Sequence, residues 1–270
     1  MTYPENGVPY ISRPALGDIA ELDRLPRPDP WKAGRFRLIL QAAHRLVDQI
    51  GEQVPVSISL PGPFTSAANT RGTESFMKDV LKNPEAAHRL IRLALEIAID
   101  FVEVAAPLGV KFGIGDPTAS GTLISPRLFR EFAQPYLKEL SDAIIRCTGS
   151  APSLHICGNT SRIWPEMADT GAGLLSLDDV VDLAEAKAAV GDRVVLVGNI
   201  RPTATMFHGT PEDVRANARL CLQKAWDSPK GHVLALGCGL PIDTPPENVH
   251  ALLQAARSYG RYPLDPANFS

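Results

Sequence analysis

The stretch GLLSLDDVVDLAEAKAAVGDRVVLVG, residues 173–198, contains two short apolar runs separated by a helical segment. Residues 173–177 and 194–198 are almost continuously apolar, which is typical of strands in a parallel sheet covered on both faces. Residues 183–190 between them predict a helix. A helix that joins two such strands is the usual crossover connection of a parallel sheet. This stretch therefore predicts an α/β protein.

The same alternation extends through most of the chain. Further strands are predicted at residues 54–60, 110–115, 153–157 and 233–237, and further helices at residues 35–50, 84–107, 163–170, 211–225 and 244–260 and from residue 126. The total is about six strands, whereas a (β/α)8 TIM-type barrel has eight. A TIM-type barrel would therefore need two further strands, from residues 1–30 or elsewhere. A Rossmann fold would require a Gly-x-Gly-x-x-Gly motif after the first strand, and none occurs.

Several helix starts and one helix face can be predicted in more detail. Asn83 and Ser125 each precede a proline and are expected to cap the helices that follow. Thr244 and Glu247 have the spacing of a capping box. The first helix has an apolar stripe that is expected to face the core, formed by Phe36, Ile39, Leu40, Ala43, Leu46, Val47 and Ile50.

The composition is that of a globular protein. The chain has 270 residues, of which 44% are hydrophobic and 21% charged, and this length suits one large α/β domain over residues 1–270 with residues 1–30 as an irregular lead-in. The net charge is −3 and no basic stripe occurs, so neither nucleic acid nor a membrane surface is an expected partner. No signal peptide or membrane-spanning run is recognised, and a cytoplasmic, reducing location is expected.

Three residues near predicted strand ends have the chemistry of zinc ligands. His155 and Cys157 are two positions apart on one strand and therefore point to the same face. Cys238 ends another strand, and one imidazole with two thiols is a three-ligand zinc set with a fourth position free. The alternative is that each is an ordinary buried residue, because a lone cysteine at a strand end usually is. Core positions are predicted for the other two cysteines, Cys147 and Cys221.

Polar residues follow other strands at the same predicted edge. Asp116, Asp178 and Asn199 come directly after three apolar runs, and the carboxyl ends of barrel strands form the active site in TIM-type enzymes. The alternatives are that Asp116 caps the following turn, that Asp178 and Asp179 cap the following helix, and that Asn199 satisfies loop backbone groups. Gly158 has the alternative of simply allowing a tight turn.

The chain resembles the uroporphyrinogen decarboxylase superfamily, and within it the zinc-dependent, corrinoid-linked methyltransferases of the methylcobamide:coenzyme M methyltransferase type. The residues that carry the resemblance run in family order from about residue 54 to the C-terminus: Gly62-Pro63-Phe64-Thr65, Asp116-Pro117-Thr118-Ala119-Ser120, Ser125-Pro126-Arg127-Leu128-Phe129, Pro135-Tyr136, His155-Ile156-Cys157-Gly158-Asn159, Leu177-Asp178, Gly198-Asn199-Ile200 and Gly237-Cys238-Gly239. The resemblance implies a (β/α)8 TIM-type barrel, which here is shortened at its N-terminus, completed by residues 1–30 or closed by a partner. It also implies that His155, Cys157 and Cys238 bind a catalytic zinc ion. Family members usually carry a further N-terminal segment, which fits the count of about six strands.

The activity implied by this resemblance is methyl transfer between a corrinoid and a thiol or similar acceptor. The corrinoid is expected as methylcobalamin on a separate corrinoid protein, and the other substrate is a small methyl donor or acceptor. Asp178 and Asp116 are the predicted catalytic residues, and Asn199 and Gly158 are the predicted cofactor-binding residues.

Other functions stay open at this point. The same architecture could catalyse transfer from a methyl donor, such as a methyl ether, to the corrinoid. Decarboxylation is disfavoured because no arginine-rich N-terminal stretch occurs and because family decarboxylases lack the His-x-Cys and Cys set. The chain could also be a non-catalytic zinc-binding partner subunit, and the formation of a homo-oligomer is left open.

Overall fold

The computed structural model describes residue 2, residues 10–261 and residues 263–269. The chain forms two compact units. Unit 1 comprises Met1–Ala119, Leu123–Leu154 and Asp169–Ala172, and unit 2 comprises Ser120–Thr122, His155–Ala168 and Gly173–Ser270. The single domain over residues 1–270 stays a prediction. Part of the predicted irregular lead-in, residues 1 and 3–9, lies outside the described residues.

Strands and helices alternate along the described chain. The strands are β1 (Ser57–Pro61), β2 (Lys111–Gly115), β3 (Ser153–Ile156), β4 (Leu174–Leu177), β5 (Val195–Val197) and β6 (His232–Val233). The helices are α1 (Phe36–Ile50), α2 (Pro63–Arg71), α3 (Thr73–Lys82), α4 (Pro84–Ala105), α5 (Pro126–Phe132), α6 (Gln134–Thr148), α7 (Trp164–Ala168), α8 (Leu183–Val190), α9 (Pro211–Ala225) and α10 (Pro246–Tyr259). A π-helix, Pro202–Phe207, follows β5. None of the helices in the described ranges is long and apolar enough to cross a membrane.

The strands follow one another in the sheet in chain order, from β1 to β6. In unit 1, β1 and β2 are parallel, with Ser57 opposite Lys111 and Pro61 opposite Gly115. In unit 2, β4, β5 and β6 are parallel neighbours. Parallel strands in chain order with helices between them are what the stretch at residues 173–198 predicts.

Each unit has a core of its own. In unit 1, Phe64 of α2 and Phe76 of α3 are fully buried and pack edge to face, with ring centroids 5.1 Å apart. In unit 2, Leu175 of β4 and Leu196 of β5 are fully buried. Buried aliphatic and aromatic surface of this kind supplies most of the stability of a domain.

Two of the predicted helix starts differ in how they are capped. Ser125 accepts a hydrogen bond from the Leu128 backbone N–H at 3.3 Å, as predicted. Asn83 stands at the N-cap of α4, but its side chain makes no capping hydrogen bond there. A residue with a capping side chain therefore stands at both N-cap positions, but the capping hydrogen bond forms only at Ser125.

The predicted capping box at the last helix is wrong. Helix α10 begins after Pro245, which has no side-chain donor or acceptor for a cap. The Thr244 hydroxyl instead donates to the Pro241 carbonyl oxygen at 2.7 Å. A capping box does form at α9, between Thr210 and Asp213.

Helices α2 and α3 were not predicted. In α2, buried residues follow one another without a helical period, since Pro63, Phe64, Thr65, Ala67 and Ala68 are all buried. A helix buried on several sides lacks the polar face on which an amphipathic pattern depends. The sequence of residues 63–71 therefore gives no periodic signal for α2.

Candidate metal centre

The three predicted metal ligands all belong to unit 2, where the fold brings them together. His155 lies in the second half of β3 and Cys157 directly follows that strand. Ile156 between them is fully buried, so the two flanking side chains share the opposite face. Cys238 lies two residues after Leu236. Leu236 forms a parallel bridge with Ile200, which lies just beyond the end of β5.

The three ligand atoms form a small triangle. The His155 Nε2 atom lies 3.2 Å from Cys157 Sγ and 3.8 Å from Cys238 Sγ. The two sulfur atoms are 3.8 Å apart, and both cysteines are free thiols. In the described ranges, these three side chains form the only cluster of three or more His, Cys, Asp or Glu residues with ligand atoms this close together.

The triangle has the dimensions of a tetrahedral zinc site. Zinc bonds of about 2.3 Å to sulfur and about 2.0–2.1 Å to nitrogen place tetrahedral ligand atoms about 3.6 Å (N to S) and about 3.8 Å (S to S) apart. The observed separations of 3.2, 3.8 and 3.8 Å lie close to these values. All three residues are half-buried, so the site is shielded but accessible. The donors and their spacing therefore fit zinc.

The other ring nitrogen of His155 is held by β4. His155 Nδ1 lies 3.1 Å from both the carbonyl oxygen and the hydroxyl oxygen of Ser176. An Nδ1–H that donates to a carbonyl leaves Nε2 with its lone pair, which is the form of histidine that binds a metal. The backbone carbonyl of Ser176 thus selects the tautomer in which Nε2 faces the two thiols.

Asp178 joins the end of β4 to the loop after Cys157. Its buried carboxylate accepts the Gly158 N–H at 2.7 Å and the Val180 N–H at 3.3 Å. Gly158 has a φ of +77°, and a Cβ there would lie 2.8 Å from the Thr122 hydroxyl, so glycine is needed at this position. Asp178 does not cap α8, because Asp182 does so by accepting the Ala184 N–H at 2.7 Å.

Asn199 holds the turn that contains Asp178. Its buried amide donates to the carbonyl oxygens of Asp178 at 2.9 Å and Val181 at 2.8 Å. Its own oxygen is 3.7 Å from the thiol of Cys221, which is buried as predicted. Asn199 thus satisfies loop backbone groups, which was the alternative to a cofactor-binding role, and the cofactor-binding roles of Asn199 and Gly158 stay predictions.

One member of the triangle and one residue near it have raised pKa values. Burial, followed by the neighbouring Cys238 thiol, raises the pKa of Cys157 to about 12. Burial and then the Asp178 carboxylate raise the pKa of Asp179. The Cys157 thiol is therefore protonated until a cation binds, since coordination to a metal ion deprotonates a cysteine.

Asp116 lies in unit 1 and is completely buried. It accepts the Thr65 N–H at 2.7 Å and so caps α2, whose own N-cap residue, Gly62, has no side chain. A Cβ on Gly62 would lie 2.3 Å from the Asp116 carboxyl group. Burial raises the pKa of Asp116 to about 6. The Asp116 side chain therefore caps α2, and not the turn that follows Asp116 in the sequence. The catalytic role of Asp116 stays a prediction.

Ser176 contributes to the site and was not singled out from the sequence, and Asp179 was considered only as a cap of the following helix. Ser176 is the one polar residue within β4, Leu174–Leu177, and that interruption of an apolar strand was a usable signal. Asp179 packs against Gly237, where a Cβ would lie 2.6 Å from the Asp179 nitrogen. No pattern in the sequence indicates the contact between Asp179 and Gly237.

Comparison with known proteins places the chain in a family. The sequence model of the family described as uroporphyrinogen decarboxylase (URO-D) matches residues 1–259. The chain belongs to this family. The predicted TIM-type α/β fold and the predicted family are thereby confirmed.

The most similar relatives include methyltransferases of Methanosarcina species. The methylcobamide:CoM methyltransferase MtaA of Methanosarcina barkeri is 34% identical over 233 residues, which cover 86% of this chain and 66% of that protein. The methylcobamide:CoM methyltransferase MtbA of Methanosarcina mazei is 30% identical over 252 residues, covering 93% of this chain and 72% of that protein. A solved methyltransferase structure from Methanosarcina mazei has a TM-score of 0.80 and 30% identity, over 95% of this chain and 72% of that chain.

Proposed function

We propose that this protein is a zinc-dependent methyltransferase that moves a methyl group from a corrinoid to a thiol. The observation that carries the proposal is the triangle of His155 Nε2, Cys157 Sγ and Cys238 Sγ, with separations of 3.2, 3.8 and 3.8 Å. Three donors at zinc-binding distances leave a fourth position for a substrate, which is the arrangement of catalytic zinc sites.

The relatives support the choice of substrates. The names of MtaA and MtbA include a methylcobamide as methyl carrier and CoM as acceptor. Because the chain spans 66% of the first of these relatives, the activity and both substrates belong to the proposal for this chain. A separate corrinoid protein is the proposed partner that presents the methyl group, and a cytoplasmic location stays a prediction.

The charge of the proposed ligands suits an anionic substrate. Two deprotonated cysteines and one neutral imidazole balance a divalent cation, so the site has no excess charge before a substrate binds. Zinc held there would lower the pKa of a coordinated substrate thiol and so supply a thiolate nucleophile at neutral pH. Ser176 keeps His155 in its metal-binding tautomer.

The proposed reaction is a displacement at the methyl carbon. The thiolate sulfur forms a bond to the methyl carbon while the cobalt–carbon bond breaks, and both electrons of that bond stay on cobalt as cob(I). The thiol proton is released to solvent when the thiol binds as a thiolate. We assign Asp178 and Asn199 the role of fixing the loop after Cys157, through Gly158.

Transfer from a methyl donor to the corrinoid is the second candidate. The observation that favours it is the Asp179 carboxyl group, whose pKa is raised by burial and by Asp178 and whose backbone packs against Gly237, next to Cys238. A methyl ether would need a proton from such a group on its leaving oxygen, whereas a thiol acceptor needs none.

The proposal can be tested by incubating the purified protein with methylcobalamin and a panel of thiols without oxygen. The absorption spectrum is expected to show conversion to cob(I)alamin with at least one thiol. Cys238→Ala should abolish this conversion, while Cys147→Ala should retain it because Cys147 lies on α6, in unit 1. Absence of conversion with every thiol, together with methylation of cob(I)alamin by a methyl ether, would favour the second candidate.

A further inference from the structure

The two sulfur atoms of the candidate metal centre are also placed to react with each other. Cys157 Sγ and Cys238 Sγ are 3.8 Å apart, although the two residues are separated by 81 positions in the sequence. Both are free thiols and both are half-buried, so a small solute can reach them. A disulfide has a sulfur–sulfur bond of about 2.05 Å, so the two atoms must approach each other by about 1.8 Å to form one.

The chain around Cys238 has room for this approach. The backbone just after Cys157 is held by the 2.7 Å hydrogen bond from the Gly158 N–H to Asp178. On the other side, hydrogen bonds to the neighbouring segment continue as far as Gly237, whose N–H donates to the Ile200 carbonyl oxygen at 2.8 Å. Gly239 is exposed, and a Cβ built there would meet no described atom within 4 Å. Rotation of the Cys238 side chain between staggered positions, with a small shift of this backbone, can therefore close the distance.

The other two cysteines have different surroundings. Cys147 is half-buried on α6, in unit 1, whereas Cys157 and Cys238 both belong to unit 2. Cys221 is buried on α9, where its sulfur lies 3.7 Å from the side-chain oxygen of Asn199. These two thiols serve as matched controls, because they differ from the pair in position and not in chemistry.

We propose that Cys157 and Cys238 form an oxidative modification site, at which a peroxide joins the two sulfur atoms in an intramolecular disulfide and so displaces the metal ion. A disulfide sulfur has no negative charge and is not a metal ligand, since the thiolate is the form that binds a metal. Oxidation would therefore leave His155 as the single remaining ligand of the three. Displacement of the metal rests on the zinc site of the proposed function, whereas the disulfide depends only on the positions of the two sulfur atoms.

The proposed oxidation takes place in two displacements, with hydrogen peroxide as the oxidant. One thiolate attacks a peroxide oxygen, the oxygen–oxygen bond breaks, and hydroxide leaves while a sulfenic acid remains on the sulfur. The second thiolate attacks that sulfur, the sulfur–sulfur bond forms, and the sulfur–oxygen bond breaks with loss of a second hydroxide. The two sulfur atoms lose two electrons and the peroxide gains them. Two protons from solvent convert the hydroxides to water, and the divalent zinc ion leaves the site.

Treatment of the zinc-loaded wild-type chain with a small excess of hydrogen peroxide tests this proposal. The intact mass is expected to fall by about 2 Da, the mass of the two thiol hydrogens, as the disulfide forms. A chromophoric zinc indicator should show one zinc ion released for each disulfide formed. Peptide mapping after alkylation of free thiols should find a peptide pair that links Cys157 to Cys238. A thiol reductant with added zinc should restore both the mass and the zinc content.

Variants identify the cysteines that react. Cys147→Ala and Cys221→Ala should form the disulfide and release zinc as the wild type does. Cys157→Ala leaves Cys238 without a neighbouring thiol, so its mass should rise through added oxygen instead of falling. Circular dichroism checks that each variant is folded.

The outcomes distinguish this proposal from the proposed function. Addition of oxygen to the wild-type chain without a fall in mass, or a link from Cys157 or Cys238 to Cys147 or Cys221, would overturn the disulfide. Full retention of zinc by the disulfide form would overturn the displacement of the metal. A chain that transfers methyl groups and forms no link would contradict this proposal alone. A chain that binds no zinc and still links Cys157 to Cys238 would support the disulfide and contradict the zinc-dependent function.

Discussion

At the scale of single residues, the position of Cys157 in the candidate metal centre depends on hydrogen bonds made by residues that are not ligands. Asp178 holds the Gly158 N–H next to Cys157, and Asn199 holds the Asp178 carbonyl oxygen. None of these contacts involves a ligand atom. They help to determine where Cys157 lies, because the 2.7 Å hydrogen bond ties the backbone just after Cys157 to the residue that follows β4.

Asn199→Ala is expected to weaken zinc binding about 10–100-fold, as loss of residues that orient metal ligands typically does. The substitution removes both hydrogen bonds that hold the turn from Asp178 to Val181. The zinc dissociation constant can be measured by competition with a chromophoric chelator.

Asn248→Ala is the matched control for this prediction. Asn248 is also buried and also donates to two backbone carbonyls, those of Met206 at 2.9 Å and Gly209 at 2.8 Å. Its loss should lower the free energy of unfolding by about 1–3 kcal/mol and leave the zinc affinity unchanged. Equal effects of the two substitutions on zinc affinity would show that Asn199 has no specific role in placing Cys157.

Asp116 is expected to make stability depend on pH. Its pKa rises from 3.8 to about 6 in the native state because it is buried, so the native state binds this proton more tightly than the unfolded chain does. The free energy of unfolding should therefore fall as the pH rises from about 4 to about 6, by roughly 3 kcal/mol for a shift of about two units. Urea unfolding of the wild type and of Asp116→Asn over this range checks it, since the substitution should flatten this part of the profile. Parallel profiles would contradict the assignment.

At the scale of elements, two prolines begin helices in the same way while the residues before them act differently. Ser125 caps α5 through the Leu128 N–H at 3.3 Å, and Asn83 makes no such bond at α4. Ser125→Ala should lower the free energy of unfolding by about 1 kcal/mol, the usual cost of a lost cap. Asn83→Ala should lower the free energy of unfolding by only a few tenths of a kcal/mol, because no capping hydrogen bond is lost. Thermal unfolding of the two variants measures both, and equal losses would mean that the Ser125 bond contributes nothing of its own.

The elements that could be predicted are those whose pattern is local. The strand, helix and strand of residues 173–198 were predicted to within one or two residues, because each apolar run or helix ends at a residue that stops it. The burial of α2 and the start of α10 depend on neighbours that are distant in sequence. Asp116 caps α2 from 51 residues away, and no local rule reports such a contact.

At the scale of the whole molecule, the meeting of the three candidate ligands could be predicted and its supports could not. His155 and Cys157 stand at the end of β3, and parallel strands bring such ends together at one edge of the sheet. The predicted strand over residues 233–237 is shorter in the structure, where β6 is His232–Val233, so Cys238 lies in the segment beyond it, two residues after the bridge at Leu236. The Ser176 carbonyl that orients His155 is a backbone atom, so no residue type indicates it. The exposure of Leu46 on α1 was also not foreseen, because an apolar stripe does not reveal how much surface is available to cover it.

Zinc content, measured by elemental mass spectrometry on purified protein, decides whether the triangle of His155, Cys157 and Cys238 is a metal centre. About one zinc ion per chain is expected in the wild type and in Cys147→Ala, because a three-ligand site holds a single ion. Cys238→Ala should lose that ion, since it removes one corner of the triangle. Full retention of zinc by Cys238→Ala, or a zinc-free wild-type protein purified with zinc present, would contradict the assignment.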